Sequence, residues 1–257
     1  MFPLIFGHTF NDKEELEVEM KKIFLIIGRS GSGKDTVFRA LKDRIKEKDL
    51  DINEVPIYTT RPMRPGEAEG DEYQFISERE FLKMEEAHEF VESRSYQTVF
   101  GIWRYGTAKK EINLKKSNYI LIGTLETFYA LEKEYGESIY PIYIEVNEER
   151  LRERTIKRGG THSEKEYMEM HRRFLADRID YAEEKLAKIH QLRRISNNGP
   201  VENCINEIWS YIQCSCCMCD TCALDSDECE DELPCLCCSN GSRFTNFCNQ
   251  YESEENV

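Results

Sequence analysis

The apolar residues of this chain fall into two recurring arrangements. Short unbroken runs such as Ile23-Phe24-Leu25-Ile26-Ile27 and Tyr119-Ile120-Leu121-Ile122 read as strands, the second as a central one covered on both faces. Elsewhere apolar side chains recur three and four residues apart with charges between them, the spacing of helices with one buried face. In order, the pattern predicts a strand over 23–27, a helix over 34–48, and strands over 55–59 and 73–76. Ser77 then caps a helix running to about 87, with Glu80 three residues on, and Phe81 and Met84 as its candidate core pair. Strands over 89–93 and 99–107 form a small sheet. A helix over 108–116, a strand over 119–123, a helix over 126–135 and a strand over 140–146 follow. Asn147 caps a helix to 158, a polar stretch 161–166 leads to a second long helix, and a strand with a turn over 191–198 precedes a closing helix over 201–212. Strands alternating with helices predict an α/β fold on a parallel sheet.

The first strand and first helix are joined by Gly28-Arg29-Ser30-Gly31-Ser32-Gly33-Lys34-Asp35-Thr36. Strand, glycine-rich turn and helix are the context of a phosphate-binding loop. Glycines let backbone N–H groups curl around phosphate oxygens, the helix N-terminus adds a positive dipole end, and Lys34 supplies a mobile charge for the terminal phosphates. The spacing fits G-x-x-x-x-G-K. Asp35, however, stands where a serine or threonine is expected to hold magnesium.

Two other stretches carry charge in a functional pattern. Thr59-Thr60-Arg61-Pro62-Met63-Arg64-Pro65-Gly66-Glu67 has two prolines and a glycine, which exclude regular structure. Its two arginines form either a preorganised anion clamp or a solvated basic turn. Farther on, Arg154 and Arg158 share one helix face, Gly159-Gly160 ends that helix, and Arg172, Arg173 and Arg178 lie on the next. A hinge with arginines on both sides suits a lid over a triphosphate; a salt-laced surface helix pair is the alternative.

At 257 residues the chain has room for one domain with appendages. No apolar run approaches the length of a membrane span, no signal-peptide core is present, and a reducing cytoplasm is the expected setting. The net charge of −14 is uneven: from Asp220 onward ten acidic residues meet one basic residue, Arg243. The remainder is near balance, so a nucleic-acid surface is not indicated. Ten of the eleven cysteines lie from Cys214 to Cys248, which sets a boundary near 213 and a Cys-rich acidic tail over 214–257. The C-x-x-C spacings at Cys216, Cys219 and Cys222 and at Cys235 and Cys238 suggest zinc or another soft metal; a metallothionein-like cluster and a disordered thiol-rich tail are both open. Residues 1–19 read as an N-terminal extension, with Met20 as a natural start and an added strand over 2–6 as the alternative.

From about 22 to 212 the residues resemble the guanylate kinase family, nucleoside-monophosphate kinases with a phosphate loop. The most specific part is Thr59-Thr60-Arg61-Pro62 through Arg64-Pro65-Gly66-Glu67 to Gly70 and Tyr73. The resemblance implies a three-layer P-loop NTPase domain over 20–213, with a small mixed α/β monophosphate-binding insertion over about 61–107 and a helical lid over about 157–172. It implies that Arg61, Arg64, Tyr73 and Tyr105 hold the acceptor monophosphate. Glu92 would read guanine through N1–H and N2–H₂, with Thr107 as a further base contact. Arg154, Arg158 and one of Arg172 or Arg173, here Arg173, would be the lid arginines. ATP with Mg²⁺ would occupy the loop, with GMP or dGMP as acceptor.

The chain departs from that family in places. Asp35 or Thr36 would have to serve magnesium, and two acids of the family's Ile-Leu-Asp-Ile-Asp strand are replaced by Ile122 and Thr124, with Glu126 close by. Ile57 occupies the position of an early base-contacting serine, and extra residues separate Glu92 from Tyr105. A Gly-Lys-Asp-Ser/Thr loop also resembles ribose 1,5-bisphosphate phosphokinase and some phage deoxynucleotide kinases, which leaves a different acceptor as one alternative. A non-catalytic guanylate-kinase-like binding module is the other, although Lys34 and the lid arginines remain.

Overall fold

A computed structural model describes residues 21–64, 67–70, 72–158 and 164–216, and of residues 155–158, 166, 214 and 216 the backbone alone. The expectations for residues 1–19, for Gly159-Gly160 and for Cys219, Cys222, Cys235 and Cys238 lie outside the described residues, as do the side chains of Arg158 and Cys216.

Strand β1 (Ile23–Ile27) is fully buried and occupies the middle of a five-stranded, all-parallel sheet. β7 (Asn118–Ile122) flanks it on one side and β8 (Ile139–Glu145) on the other, with β2 (Ile52–Glu54) and β9 (Arg193–Ser196) at the edges. Its side chains alternate between two cores. Phe24 and Ile26 pack with residues of α1 (Lys34–Glu47) and α7 (Val201–Cys216). Ile23, Leu25 and Ile27 pack on the opposite face with α3 (Leu125–Tyr135) and the short α6 (Glu183–Leu186). Two helical layers around one parallel sheet follow from strands with no polar face.

A second, four-stranded sheet, hereafter the insertion, runs β4 (Tyr73–Phe75), β3 (Ile57–Thr59), β6 (Gly101–Ala108) and β5 (Phe90–Thr98) in that order. α2 (Glu78–Glu86) covers it, capped by Ser77, whose side chain accepts from the Glu80 N–H. Phe81 and Met84 fill the space beneath it with Tyr58 and Phe90. α4 (Glu148–Arg158) and α5 (Glu164–Asp180) complete the fold. Among the described residues no helix is long and apolar enough to cross a membrane.

Three predicted elements differ. The strand expected over 55–59 is a handover between sheets. β2 ends at Glu54, Val55 N–H still bonds Ile120 O at 3.1 Å, and β3 starts after Pro56, which has no N–H to continue a ladder. The helix expected over 108–116 is only a 3₁₀ turn at Lys109–Glu111. There the Asn113 side chain accepts from Lys115 N–H and the Tyr119 hydroxyl accepts from Asn113 N–H, so side chains satisfy the backbone locally. The strands expected over 89–93 and 99–107 are one long hairpin. The closing helix also runs past the expected boundary, to Cys216.

Gly106 is where the insertion is tightest. A Cβ there would stand 2.9 Å from two atoms of the Phe90 ring and 3.2 Å from Phe81. The two rings are stacked 4.7 Å apart and buried, so neither has room to retreat. Gly106→Ala is expected to lower stability by about 1–3 kcal/mol. A urea midpoint equal to that of the unaltered protein would contradict this packing.

Candidate active site

The carboxyl end of β1 releases the chain into the glycine-rich loop. Gly31 and Gly33 take φ values of 83° and 90°, which other residues seldom adopt. The loop is braced from below. Arg154 donates through Nη1 to Ser32 O at 3.0 Å and through Nη2 to Asn197 O at 2.8 Å, and Asn197 Nδ2 donates to Ser32 O at 2.8 Å. Gly33 is the N-cap of α1 and has no side chain, so the first amides of the helix keep their hydrogen-bonding capacity for a ligand.

Gly28, Ser30 and Lys34 open onto a cavity of about 440 Å³. The insertion supplies a second wall through Ile57, Tyr73, Tyr105, Arg94, Tyr96 and Trp103. α5 supplies a third through Arg172, Arg173 and Asp177, and Thr124 and Glu126 follow from the end of β7. Lys34 makes no hydrogen bond or ion pair with the described residues. The arginines do. Arg172 and Arg173 both bind Glu169, at 2.8 Å each, and these guanidinium groups overcome burial to hold the Glu169 carboxyl below its usual range.

Arg61 lies beside this cavity rather than on it. Its guanidinium is 2 % exposed, pairs with both oxygens of Glu67 at 2.7 and 3.0 Å, and stacks over Tyr73 at 4.7 Å. Burial opposes its charge, but Glu67 prevails and raises its pKa. Arg64 is exposed, and its backbone N–H donates to the same Glu67. Burial, reinforced by Asp35, pushes the Tyr73 phenol up to about 12, so it is a hydroxyl donor throughout the neutral range.

A bulge in β5 sets the cavity wall that this hairpin supplies. Phe90 opposes Ala108 and Glu92 opposes Thr107, so two residues face one, and Phe90 turns to the core while Glu92 turns the other way. Strand alternation then puts Arg94 and Tyr96 on the face of Glu92, opposite Tyr105 and Trp103. Glu92 Oε1 accepts from Thr107 Oγ1 at 2.9 Å and from Arg94 Nη1 at 2.5 Å. Arg94, not Glu92 or Thr107, reaches the cavity surface.

Arg29 carries only its backbone toward the loop. Its side chain bonds Glu148 at 2.9 Å and lies over Phe174. Ser32 is buried within the loop, Asp35 is half-buried, and Thr36 is exposed. No cluster of three His, Cys, Asp or Glu side chains suited to a metal exists among the described residues. Magnesium commonly binds through one or two carboxylates and the substrate's phosphates, so the oxygen donors here fit such an ion without a cluster. Burial first, and Asp35 second, raise the pKa of Glu72, which pairs with Arg39 at 3.3 Å. Ile122 is core and Thr124 caps α3.

The guanylate kinase family model matches residues 20–213. The chain belongs to the guanylate kinase family. It is 30 % identical over 193 residues to a guanylate kinase of Porphyromonas gingivalis, covering 74 % of this chain and 95 % of that one. It is 29 % identical over 201 residues to one from Caldanaerobacter subterraneus subsp. tengcongensis, covering 77 % and 89 %. The crystal structure of guanylate kinase from Anaplasma phagocytophilum has the same fold, with a TM-score of 0.54 at 21 % identity over 76 % of this chain and 86 % of that one. As a member of the guanylate kinase family, this chain is a nucleoside-monophosphate kinase, a transferase.

Sequence reasoning missed Arg94 and Tyr96 because it ended the strand at Ser93, and it passed over Trp103 on the strand predicted over 99–107. Period-two alternation from Glu92 leads to Arg94 and Tyr96, and from Tyr105 back to Trp103. It also missed Asp177, whose Oδ2 accepts from Ser30 N–H at 2.5 Å, on the loop amide where a phosphate oxygen is expected. Nothing in the residues near 177 signals this contact, which depends on how α5 packs. A charged group on that amide competes with an anion, so Asp177→Asn is expected to tighten ATP binding about 5- to 10-fold. Calorimetric titration measures this; an unchanged or weaker affinity would refute competition at Ser30.

Proposed function

We propose that the protein transfers the γ-phosphoryl group of ATP to a guanine nucleoside monophosphate, GMP or dGMP, giving ADP and GDP or dGDP. What carries the reading is that one cavity is lined at once by the phosphate loop, by Tyr73 and Tyr105 of the insertion and by Arg172 and Arg173 of α5. In this reading the donor phosphates and the acceptor phosphate meet there. Membership of the guanylate kinase family supports the same reaction.

In the proposed complex the triphosphate lies on the N–H groups of residues 28–36, with Lys34 spanning its outer phosphates. Asp177 must leave Ser30 for this to happen. The acceptor phosphate is held by the Tyr73 and Tyr105 hydroxyls and by Arg61 and Arg64. An acceptor oxygen forms a bond to the γ-phosphorus as the bond to the β-bridging oxygen breaks. No general base is needed, since a phosphate monoester is already ionised near neutral pH, with a second pKa of about 6. Catalysis is then positioning and charge neutralisation. Arg173, Arg172, Arg154 and Arg158 are the proposed lid arginines. Arg154 serves in this state by fixing the loop, which is itself a positioning role. Asp35 would hold Mg²⁺ with the phosphates, Glu126 lies on the same cavity, and the ion would supply further neutralisation of the triphosphate.

Lys34→Ala is expected to lower kcat/KM on the order of 10²–10³-fold. The test is ADP release measured over GMP, dGMP, AMP, UMP and ribose 1,5-bisphosphate. Turnover confined to acceptors without guanine would overturn the acceptor. ATP binding with no turnover of any acceptor would make this a binding module.

A further inference from the structure

The base-facing wall does not present the carboxylate expected to read guanine. Glu92 Oε1 is already saturated, accepting from Arg94 Nη1, Thr107 Oγ1 and, at 3.4 Å, Thr127 Oγ1. Its Oε2 is buried and unpartnered. Arg94 forms an ion pair with this carboxylate, with side chains 10 % and 7 % exposed for arginine and glutamate. Its hydrogen bonds to Glu92 and Thr127 both leave from Nη1. On the opposite edge of the guanidinium fork Nε is buried and, like Glu92 Oε2, has no partner. Arg94 and its neighbours Tyr96 and Tyr105 line the cavity, whereas Glu92 does not.

A guanidinium edge and a carboxylate read opposite patterns. The carboxylate accepts from N1–H and N2–H₂ and so demands the 2-amino group. A guanidinium edge donates and matches paired acceptors such as O6 and N7 of a 6-oxopurine, a pairing common at base edges. Resting on the nucleoside-monophosphate kinase reading above, we propose that Arg94 is the residue that selects the acceptor base. It does so by donating to the O6/N7 edge while Glu92 serves as its buried counter-ion. The 2-amino group then goes unread, and the substrate class widens from guanine to 6-oxopurine nucleoside monophosphates. Adenine stays excluded, because its 6-amino group would set donor against donor in a buried site.

The test compares kcat/KM for GMP, IMP, AMP and 7-deaza-GMP on the full chain, then repeats GMP and IMP on Arg94→Ala. GMP and IMP are expected within about 10-fold of each other, AMP at least about 100-fold lower, and 7-deaza-GMP, which lacks the N7 acceptor, at least about 10-fold below GMP. Arg94→Ala uncovers Glu92 and is expected to raise the GMP-to-IMP ratio about 10-fold or more. A purely structural loss would lower both substrates together and leave that ratio unmoved. The analogue arm needs no variant and decides the matter even if Arg94→Ala fails to fold. A GMP-to-IMP ratio above about 100 in the unaltered enzyme, or full use of 7-deaza-GMP, overturns the Arg94 assignment alone. No turnover of any 6-oxopurine nucleotide overturns the kinase reading beneath it.

Discussion

Strand β1 has no solvent face, and the arrangement of the site follows from that. Five consecutive side chains alternate into two cores, and each contributes about 1.5–3 kcal/mol of burial. Parallel neighbours on both sides fix the register of β1 through Ile23 to Ile27. The chain therefore leaves the sheet at Gly28 in a direction it cannot alter. α1 is held in turn by Val37, Phe38 and Leu41 in the first core. A loop of six residues, Gly28 to Gly33, strung between two such anchors has little freedom, and Arg154 and Asn197 remove more of it by gripping Ser32 O. Preorganised amides are worth more to an anion than amides that must first be ordered.

That preorganisation creates an electrostatic problem. Lys34, Arg61, Arg94, Arg172 and Arg173 gather around one cavity and its rim, and the buried and half-buried arginines among them need partners. Carboxylates supply them: Glu67 for Arg61, Glu92 for Arg94, and Glu169 for Arg172 and Arg173. Asp177 does the same for the loop amide of Ser30. Charge-assisted pairs of this kind hold side chains in place at the cost of some attraction for the ligand. The contacts differ in how they respond to a phosphate. Asp177 occupies a position a phosphate oxygen would take, so the two exclude each other. Glu67 takes Nη1 and Nη2 of Arg61, and Glu169 takes Nε and Nη2 of Arg172 and Nε of Arg173, so N–H groups remain on each guanidinium for a ligand. Binding can thus free α5 from the loop without dismantling the arginine supports.

The sequence made the large-scale order of the fold legible because that order is written in local patterns. Unbroken apolar runs marked β1 and β7, and Ser77 with Glu80 marked the start of α2. The phosphate loop was legible because its glycines are needed by its own backbone. What could not be read depends on contacts distant along the chain. Pro56 divides one apolar stretch between two sheets, which no periodicity reveals. Residues 108–116 have enough helix formers to suggest a helix, yet Asn113 and Tyr119 satisfy the backbone in another way. In the site, Lys34, Tyr73, Tyr105 and Arg173 were found in advance and do line the cavity, and the loop that holds Arg61 was recognised by its prolines. The pairing of Asp177 with Ser30, 147 residues apart, left no local trace.

The hairpin of β5 and β6 makes the same point about function. A longer strand adds residues to each of its faces, and here the added length places Arg94 and Tyr96 beyond Glu92 on the wall of the cavity. A buried guanidinium without a counter-ion would be costly, so once Arg94 occupies that wall an acid at 92 is required whether or not it touches a ligand. An acid in a recognisable motif can therefore persist for a structural reason while the recognition passes to its neighbour. The orphaned Oε2 of Glu92 and the unpartnered Nε of Arg94 are two sides of this exchange. The first marks a carboxylate that no longer faces the cavity, and the second a donor edge still lacking its acceptor. Motif position alone would assign the selection of the base to Glu92; the hydrogen-bond inventory of the two side chains assigns it to the residue two places later.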